Sequence, residues 1–231
     1  MFYLFIIVGM MIISMFIYMY YHFKVPKETN LALKLITSFW FVLLGIIAIF
    51  LREDKNINLS IMMLIGLICG FLGDAILGLR KTNAESNKVF FCMGLMVFMI
   101  GNIFYSRVYL TFSDYPQYAY FFIAMVIAVI LIAIFELTKI KLGYLRAPNY
   151  IYTYVSSFLL TAVALGIVSP VTTGKILALF GVISFITSDI ILNYLYFKKV
   201  NPVRFRVFKY INILTYYLGQ TLIALSIYFL I

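Results

Sequence analysis

The sequence predicts an all-α, polytopic membrane protein: a bundle of eight transmembrane helices that forms a single domain over residues 1–231. Composition is the first reason, because 65% of the residues are hydrophobic and only 11% are charged. The mean hydropathy is +1.07, far above that of a soluble domain. The second reason is that long apolar stretches recur without the alternating pattern of barrel strands. Helices are then the remaining way for the backbone to satisfy its hydrogen bonds in lipid.

Eight apolar segments are each close to the ~20 residues that a membrane-spanning helix needs. In chain order they cover residues Phe2–Tyr21, Leu31–Leu51, Asn58–Leu79, Val89–Leu110, Tyr118–Leu137, Asn149–Val168, Lys175–Phe197 and Phe208–Ile231. Charged or proline-containing segments separate them at residues 25–27, 52–55, 80–83, 114–116, 146–148, 169–170 and 201–202. The first segment lacks the basic n-region and cleavage site of a signal peptide, so we interpret it as a span.

The distribution of cations predicts the orientation. Thirteen of the 18 lysines and arginines follow spans one, three, five and seven: Lys24, Lys27, Arg80, Lys81, Lys88, Lys139, Lys141, Arg146, Lys198, Lys199, Arg204, Arg206 and Lys209. The other side carries Arg52, Lys55, Lys175 and, near a helix end, Arg107. The positive-inside rule then makes the odd-numbered loops cytoplasmic and places both termini on the non-cytoplasmic side, in a bacterial cytoplasmic membrane. The net charge of +10 thus reflects topology and anionic lipid headgroups rather than nucleic acid.

Two aspartates lie inside apolar spans, within similar strings. Asp74 belongs to Phe71–Gly78 and Asp189 to Phe185–Asn193. A charged side chain at the bilayer centre costs at least about 2.5–3.5 kcal/mol on insertion scales, so an intramembrane acid is a candidate for function. At ~1.5 Å per residue, both lie about 9–14 Å from the cytoplasmic helix ends. A weak four-plus-four helix repeat would place the two aspartates at equivalent positions of spans three and seven. Convergence explains the similarity of the two strings equally well.

Further polar residues lie near the pair, and each has a structural alternative. Lys34, near the start of span two, is a candidate phosphate ligand or a snorkelling lysine. Tyr152 opens span six at the interface, where tyrosines are common in any case. Four residues deep in spans four and eight are candidate substrate ligands or interhelical hydrogen-bonding groups: Asn102, Tyr216, Tyr217 and Gln220.

The sequence lacks the residues that several kinds of catalytic and cofactor-binding site require. His22 is the one histidine, and the two cysteines, Cys69 and Cys92, fall within apolar segments, so neither a zinc hydrolase site nor a Ser–His triad has its groups. No G-x-x-x-x-G-K-[ST] or G-x-G-x-x-G loop occurs. We expect no metal and no cofactor. Two carboxyl groups remain, for acid–base chemistry or for proton-coupled movement.

In these motifs the chain resembles the YhhN-type lysoplasmalogenase family of membrane proteins. The matching residues run in order along nearly the whole chain: Lys34; Gly73-Asp74-x-x-Leu77; Phe90, Gly94, Phe98 and Tyr105; Pro148-x-x-x-Tyr152; Gly181-x-x-x-Phe185-x-x-Ser188-Asp189-x-x-Leu192; and Tyr216-Tyr217-Leu218-x-Gln220. Asn102 stands where the family usually has histidine, Leu35 where it has proline, and Asn193 where it has alanine.

The resemblance implies an ether hydrolase that cleaves the vinyl-ether bond of lysoplasmalogens into a fatty aldehyde and glycerophospho-ethanolamine or -choline. Asp74 and Asp189 would be catalytic, with Ser188 among the substrate-binding residues. The chemistry suits two carboxyl groups, because protonating a vinyl ether gives an oxocarbenium ion, as in glycosidases. One carboxyl must be protonated, and we expect Asp189 to be the donor. Apolar surroundings and a second carboxylate both favour a protonated acid.

Two other functions are compatible with the residues. A proton-coupled transporter or flippase of a small or lipid-like substrate would also use intramembrane acids, and a parallel repeat suits it. A non-catalytic lipid-binding protein is the third interpretation, although it leaves the cost of two buried acids without a reason. Headgroup preference, chain length and oligomeric state are left open by the sequence.

Overall fold

The computed structural model describes residues 1–52, 56–82, 87–138, 143–168 and 170–230. These residues form eight α-helices and contain no β-strand, which confirms the all-α prediction. The helices are α1 (Phe2–Tyr21), α2 (Lys27–Leu51), α3 (Ile57–Thr82), α4 (Asn87–Leu110), α5 (Gln117–Leu137), α6 (Arg146–Gly166), α7 (Thr173–Phe197) and α8 (Pro202–Phe229). A short 3₁₀ turn, Gly143–Leu145, leads into α6.

Several helices begin before the apolar segments that predicted them, because their first turns contain polar and charged residues. Helix α8 begins at Pro202 rather than Phe208: the Asn201 side chain accepts a hydrogen bond from the Val203 N–H, and proline suits the first helical position. Helix α2 begins at Lys27 rather than Leu31, directly after Pro26. These extra turns carry the lysines and arginines that end the apolar stretches.

Six of the eight helices are long and apolar enough to cross a membrane: α1, α2, α3 up to Leu79, α4, α5 and α7. They mark the chain as an integral membrane protein. Helices α6 and α8 have the length, with 21 and 28 residues, but they are less apolar. Each buries a row of polar side chains against other helices, among them Asn149, Thr153, Ser156 and Ser157 in α6 and Asn212, Gln220, Thr221 and Ser226 in α8.

The helices that carry buried polar rows have several helical neighbours. Helix α8 contacts α7, α2, α1 and α3, and α6 contacts α4, α5 and α7. Helices α1 and α5 lie outside, with many exposed apolar side chains. Short connections make successive helices antiparallel, so α2, α4, α6 and α8 begin at one end of the bundle, where α1, α3, α5 and α7 finish. We call this the basic end; its described residues include Lys24, Lys27, Lys88, Lys198 and Lys199.

Helices α7 and α8 approach each other closely at two glycines. A Cβ atom at Gly219 would lie 2.8 Å from the carbonyl oxygen of Gly181 and 2.8 Å from the backbone nitrogen of Phe185. Both distances are too short for a real Cβ contact, so only glycine permits this packing. The close contact fixes α7, and with it Asp189, against the middle of α8.

Candidate functional site

Asp74 and Asp189 line one cavity, toward the basic end of the bundle. The cavity has a volume of about 60 Å³, which is room for a few water molecules. Helices α1, α2, α3, α4, α7 and α8 contribute its walls, with side chains that include Tyr18, Leu31, Lys34, Asp74, Leu77, Phe98, Ser188, Asp189, Leu192, Asn212, Tyr216 and Tyr217. The two acids predicted from separate spans therefore face the same space.

Asp74 is held as an ion pair. One carboxylate oxygen, Oδ1, lies 2.7 Å from the Lys34 ammonium, and the other, Oδ2, accepts a hydrogen bond from the Ser38 hydroxyl at 2.5 Å. The Asp74 residue is only 2% exposed. A carboxylate this deeply buried needs such partners, because an uncompensated buried charge is costly. Each oxygen still has a further lone pair for water or substrate.

A tyrosine from α8 completes the surroundings of Asp74. The Tyr217 hydroxyl lies 3.1 Å from the Ser38 hydroxyl and donates to the backbone carbonyl of Lys34 at 3.1 Å. The Lys34 ammonium also donates to the backbone carbonyl of Asp74 at 3.2 Å. Helices α2, α3 and α8 are thereby joined around a single carboxylate, and its position is fixed.

Asp189 has a different set of partners. Its Oδ2 accepts a hydrogen bond from the Tyr152 hydroxyl of α6 at 2.6 Å, and within the described ranges no cation lies within 4.0 Å of it. Asp189 is partly buried. It lines a second cavity of about 10 Å³ between α5, α6 and α7, close to the size of one water molecule. The two acids of the site thus differ in charge compensation, one beside an ammonium and one beside a neutral phenol.

Ser188 connects the second acid to α8. Its hydroxyl donates to the backbone carbonyl of Asn212 at 3.2 Å, and the Asn212 amide donates to the Ser188 hydroxyl and carbonyl, both at 2.8 Å. The Asn212 side-chain oxygen in turn accepts from the Lys209 ammonium at 2.7 Å. These contacts fix Lys209 relative to the residue that precedes Asp189.

Aromatic rings close the inner side of the cavity. Phe98, Phe185 and Tyr216 contact one another with ring centroids 6.0–6.1 Å apart, a favourable spacing for tilted and edge-on pairs. The Tyr216 hydroxyl donates to the backbone carbonyl of Gly70 at 3.4 Å. The aromatic cluster separates the acids from the apolar interior of the bundle.

Six of the nine residues predicted for the site line the cavity: Lys34, Asp74, Ser188, Asp189, Tyr216 and Tyr217. The other three predicted residues, Tyr152, Asn102 and Gln220, lie near the cavity but are not among its lining residues. Tyr152 contacts Asp189 from behind. The Asn102 amide donates to Ser156 at 3.1 Å, and the Gln220 carbonyl oxygen accepts from the Tyr105 hydroxyl at 3.3 Å. Asn102 and Gln220 therefore join helices, the alternative that their depth in the spans also allowed.

The sequence interpretation did not assign Ser38, Asn212 or Lys209 to the site. Ser38 lies four residues after Lys34, on the same helix face, and this spacing is the signal that could have found it. Asn212 likewise lies four residues before Tyr216. Across the part of the chain that the structure describes, no group of three His, Cys, Asp or Glu side chains could hold a metal ion.

Comparison with known proteins identifies the family of the chain. The sequence model of the YhhN family matches residues 29–227, which include the described cavity-lining residues except Tyr18 and Lys27. No curated protein and no solved structure matches the chain. Because the match extends over most of the sequence and contains both aspartates with their partners, the chain belongs to the YhhN family.

Proposed function

We propose that the protein is a lysoplasmalogenase, an ether hydrolase that cleaves the vinyl-ether bond of lysoplasmalogens without a cofactor. One observation carries the proposal: Asp74 and Asp189 line the same cavity, and one has an ammonium partner while the other has a neutral phenol. Acid-catalysed cleavage of a vinyl ether needs this difference, because one group must donate a proton while the other stays charged. Membership of the YhhN family supports the same activity.

Asp189 is the proton donor in the proposed reaction. Its proton goes to the β-carbon of the vinyl ether, and the α-carbon and ether oxygen share the positive charge of an oxocarbenium ion. Water then adds to the α-carbon, and its proton returns to Asp189. The resulting hemiacetal breaks its bond to the glycerol oxygen, which takes the hydroxyl proton. The net reaction consumes one water and releases a fatty aldehyde and a glycerophospho compound.

Asp74 is the ionised partner. Lys34 and Ser38 keep it charged and in place, so it accepts a hydrogen bond from the attacking water and lies beside the developing cation. Because these contacts exist before the substrate binds, the charge needs no reorganisation during the reaction. The cavity holds the few reacting atoms and a water, and the alkenyl chain extends from it toward the bilayer.

The proposal includes the placement of the chain in a bacterial cytoplasmic membrane. All eight helices would cross it, with both termini on the non-cytoplasmic side, and the basic end would face the cytoplasm. Helices α6 and α8 cross despite their polar residues because those residues face other helices. The vinyl ether of a lysolipid lies just below its headgroup, a depth that matches the two aspartates.

The deciding experiment measures aldehyde release by purified protein in detergent. A vinyl-ether lysophospholipid should yield aldehyde, and the saturated ether analogue should yield none, since an alkyl ether cannot form the oxocarbenium ion by protonation at carbon. Release without any ion gradient would separate hydrolysis from transport. A wild-type protein that moves the lipid across vesicles but leaves the vinyl ether intact would support a transporter or flippase instead.

Substituting either aspartate should abolish turnover without unfolding the protein. Asp189→Asn removes the donor proton, and Asp74→Asn removes the charge beside the cation, so we expect at least a ~10³-fold fall in kcat for each, near the effect of losing a main catalytic group. Thr187→Ala is the matched control, because Thr187 lies two residues before Asp189 in α7 and its side chain is exposed. Near-normal activity in either Asn variant would contradict the two-acid mechanism.

A further inference from the structure

The small cavity between α5, α6 and α7 has polar walls beside Asp189. Its volume is about 10 Å³, close to the lower limit for one water molecule. Besides apolar side chains, it is lined by Tyr152, Thr153, Ser156 and Asn193. Among the described residues, Asp189 is the one that lines both this cavity and the larger one that it shares with Asp74. The proposed proton donor therefore borders two separate spaces.

The lining groups of the small cavity suit a bound water, which makes about three hydrogen bonds when buried in a protein. Tyr152 donates to Oδ2 of Asp189, which leaves Oδ1 for another partner. The Thr153 hydroxyl donates to the backbone carbonyl of Asn149 at 2.8 Å and keeps its lone pairs as acceptors. The Asn193 side-chain oxygen accepts from the Asn149 amide at 2.6 Å, so the Asn193 NH₂ group remains as a donor. A carboxyl, a hydroxyl and an amide are thus available in a space with room for one water.

The Asn149–Asn193 pair connects the small cavity with the basic end. Asn149 lies three residues after the start of α6, and Asn193 four residues before the end of α7. At ~1.5 Å per residue, both are about 5–6 Å inside their helix ends, and Asp189 is one turn further in. Asn149 is fully buried, and its side-chain oxygen has no hydrogen-bond partner among the described residues. Because a buried carbonyl of this kind usually binds an ordered water, the pair offers water a route that bypasses the larger cavity.

The proposed reaction requires such a route. It consumes one water in each turnover, whereas the larger cavity, of about 60 Å³, has to hold the vinyl ether and the atoms next to it. A bound lysolipid with its headgroup at the basic end closes the larger cavity to bulk water. The water that adds after the protonation step then has to arrive from the other side of Asp189.

We propose that the small cavity is a water-binding site, which supplies the hydrolytic water past Asp189 while the lysolipid occupies the larger cavity. This inference rests on the proposed function. Once Asp189 has given its proton to the β-carbon, the oxygen of the stored water bonds to the α-carbon and one water proton returns to Asp189. The other proton leaves with the glycerol oxygen when the hemiacetal collapses, so the atoms of one water balance the reaction. A site of this size excludes larger nucleophiles such as alcohols.

Methanol tests the size and the position of the site. Purified full-length protein in detergent is given a vinyl-ether lysophospholipid in aqueous methanol, and the products are identified by mass spectrometry. Methanol in place of water would give a mixed methyl acetal that keeps the glycerophospho group, because it has no hydroxyl proton with which to collapse. Wild type should give aldehyde alone. Ile186→Ala and Leu131→Ala, which enlarge the small cavity from α7 and α5, should also give the mixed acetal. Ile223→Ala, at a fully buried position of α8 that lines neither cavity, should give aldehyde alone.

Mixed acetal from wild type, or as much from Ile223→Ala as from Ile186→Ala, would overturn the proposal. Aldehyde alone from both Ile186→Ala and Leu131→Ala would overturn it as well. Aldehyde from wild type in the same samples reports the hydrolase activity itself, so a failure of that activity is seen separately.

A second measurement needs no turnover. An experimental structure that resolves ordered waters should show one within hydrogen-bond distance of Asp189 and Asn193, and Asn193→Leu should lose it. Asn193→Leu should also lower kcat about tenfold, the effect of one lost hydrogen bond, and leave KM nearly unchanged because the residue does not line the larger cavity. A small cavity without water in the wild-type structure would overturn the proposal whatever the activity.

Discussion

Lys34 and Asp74 stabilise each other's charge, because both side chains are largely buried. The Asp74 side chain is 3% exposed and the Lys34 side chain 18%. Removing one partner of a buried pair costs about 3–5 kcal/mol because the other charge is left uncompensated. Here the partial exposure of Lys34 lets water offset some of that cost.

We therefore expect Lys34→Met to lower the free energy of unfolding by about 2–3 kcal/mol and to abolish activity. The double variant Lys34→Met/Asp74→Asn should recover most of the stability, because it leaves no unpaired charge, and should remain inactive. Thermal unfolding in detergent measures the stability of both variants. It is followed by the fluorescence of Trp40, the one tryptophan. Equal stability of the single and double variants would argue against the ion pair.

Tyr152 acts on the reaction through Asp189 in the proposed mechanism. Its hydroxyl donates to the carboxyl oxygen at 2.6 Å, and this bond strengthens when Asp189 becomes charged after giving up its proton. A hydrogen bond to a charged group contributes about 1.5–3 kcal/mol. Tyr152→Phe should therefore lower kcat by about 10- to 100-fold and leave KM nearly unchanged.

Tyr150→Phe is the control for this variant. Tyr150 lies two residues earlier in α6, and its hydroxyl donates to Glu136 rather than to an acid of the site. Its kcat should match wild type. A Tyr152→Phe enzyme with normal kcat and a raised KM would instead favour direct substrate binding by Tyr152.

At this scale the sequence predicted the acids but not the contacts around them. Asp74 and Asp189 stand out in any apolar segment, whatever the tertiary structure. Their partners lie on other helices, with Lys34 40 residues away in sequence and Tyr152 37. Which faces meet depends on how each helix is rotated in the bundle, and one sequence does not determine that. Lys34, for example, was predicted to bind a phosphate or to snorkel to the headgroups, whereas the structure pairs it with Asp74.

At the scale of the helices, the close packing of α7 against α8 depends on Gly181 and Gly219. Gly219→Ala would place a Cβ 2.8 Å from the Gly181 carbonyl oxygen, and backbone atoms cannot move aside as a flexible side chain can. We expect a loss of about 1–3 kcal/mol of stability from overpacking. Helix propensity favours alanine, so any observed loss comes from packing.

Gly9→Ala in α1 provides the matched measurement. Nothing lies within 4 Å of a Cβ at this position, so the apparent melting temperature of this variant should equal or exceed that of wild type. If Gly219→Ala melts at the same temperature as Gly9→Ala, α7 and α8 are not in the close contact described here.

The positions of the eight helices could be predicted from the sequence. Which faces of these helices are covered by other helices could not. Apolar length and polar breaks located every helix, because the bilayer imposes one length on all spans. Their ends were displaced where capping residues extend a helix beyond its apolar stretch, as at Asn201. The lower hydropathy of α6 and α8 has its reason in tertiary contacts: their polar side chains are buried among other helices, and hydropathy does not report which face is covered.

For the whole molecule, the distribution of charge predicts its orientation in the membrane. A membrane-impermeant thiol reagent added to intact cells should label Asp114→Cys, between α4 and α5, but not Lys199→Cys, at the basic end. In lysed cells the reagent should label both variants. The native cysteines, Cys69 and Cys92, lie within α3 and α4 and serve as the background in unmodified protein. Labelling of Lys199→Cys alone in intact cells would reverse the proposed topology.

The four-plus-four repeat stays a prediction, with support from the pattern of neighbours. Helix α2 contacts α3 and α8 as α6 contacts α7 and α4, which is the same arrangement with the halves exchanged. The polar contacts follow it. Ser38 lies four residues after Lys34, the partner of Asp74, and Ser156 lies four after Tyr152, the partner of Asp189. Tyr217 reaches Ser38 as Asn102 reaches Ser156.

Lysine and tyrosine at these corresponding positions make the two halves chemically unequal. In a symmetric homodimer of four-helix units, both aspartates would meet identical neighbours, and a shared proton would have no preferred side. Joining the halves in one chain removes that constraint, because each copy of a position can carry its own residue. Direction is what the single chain gains: in the proposed mechanism the proton has a defined donor, and the reaction runs the same way in every turnover.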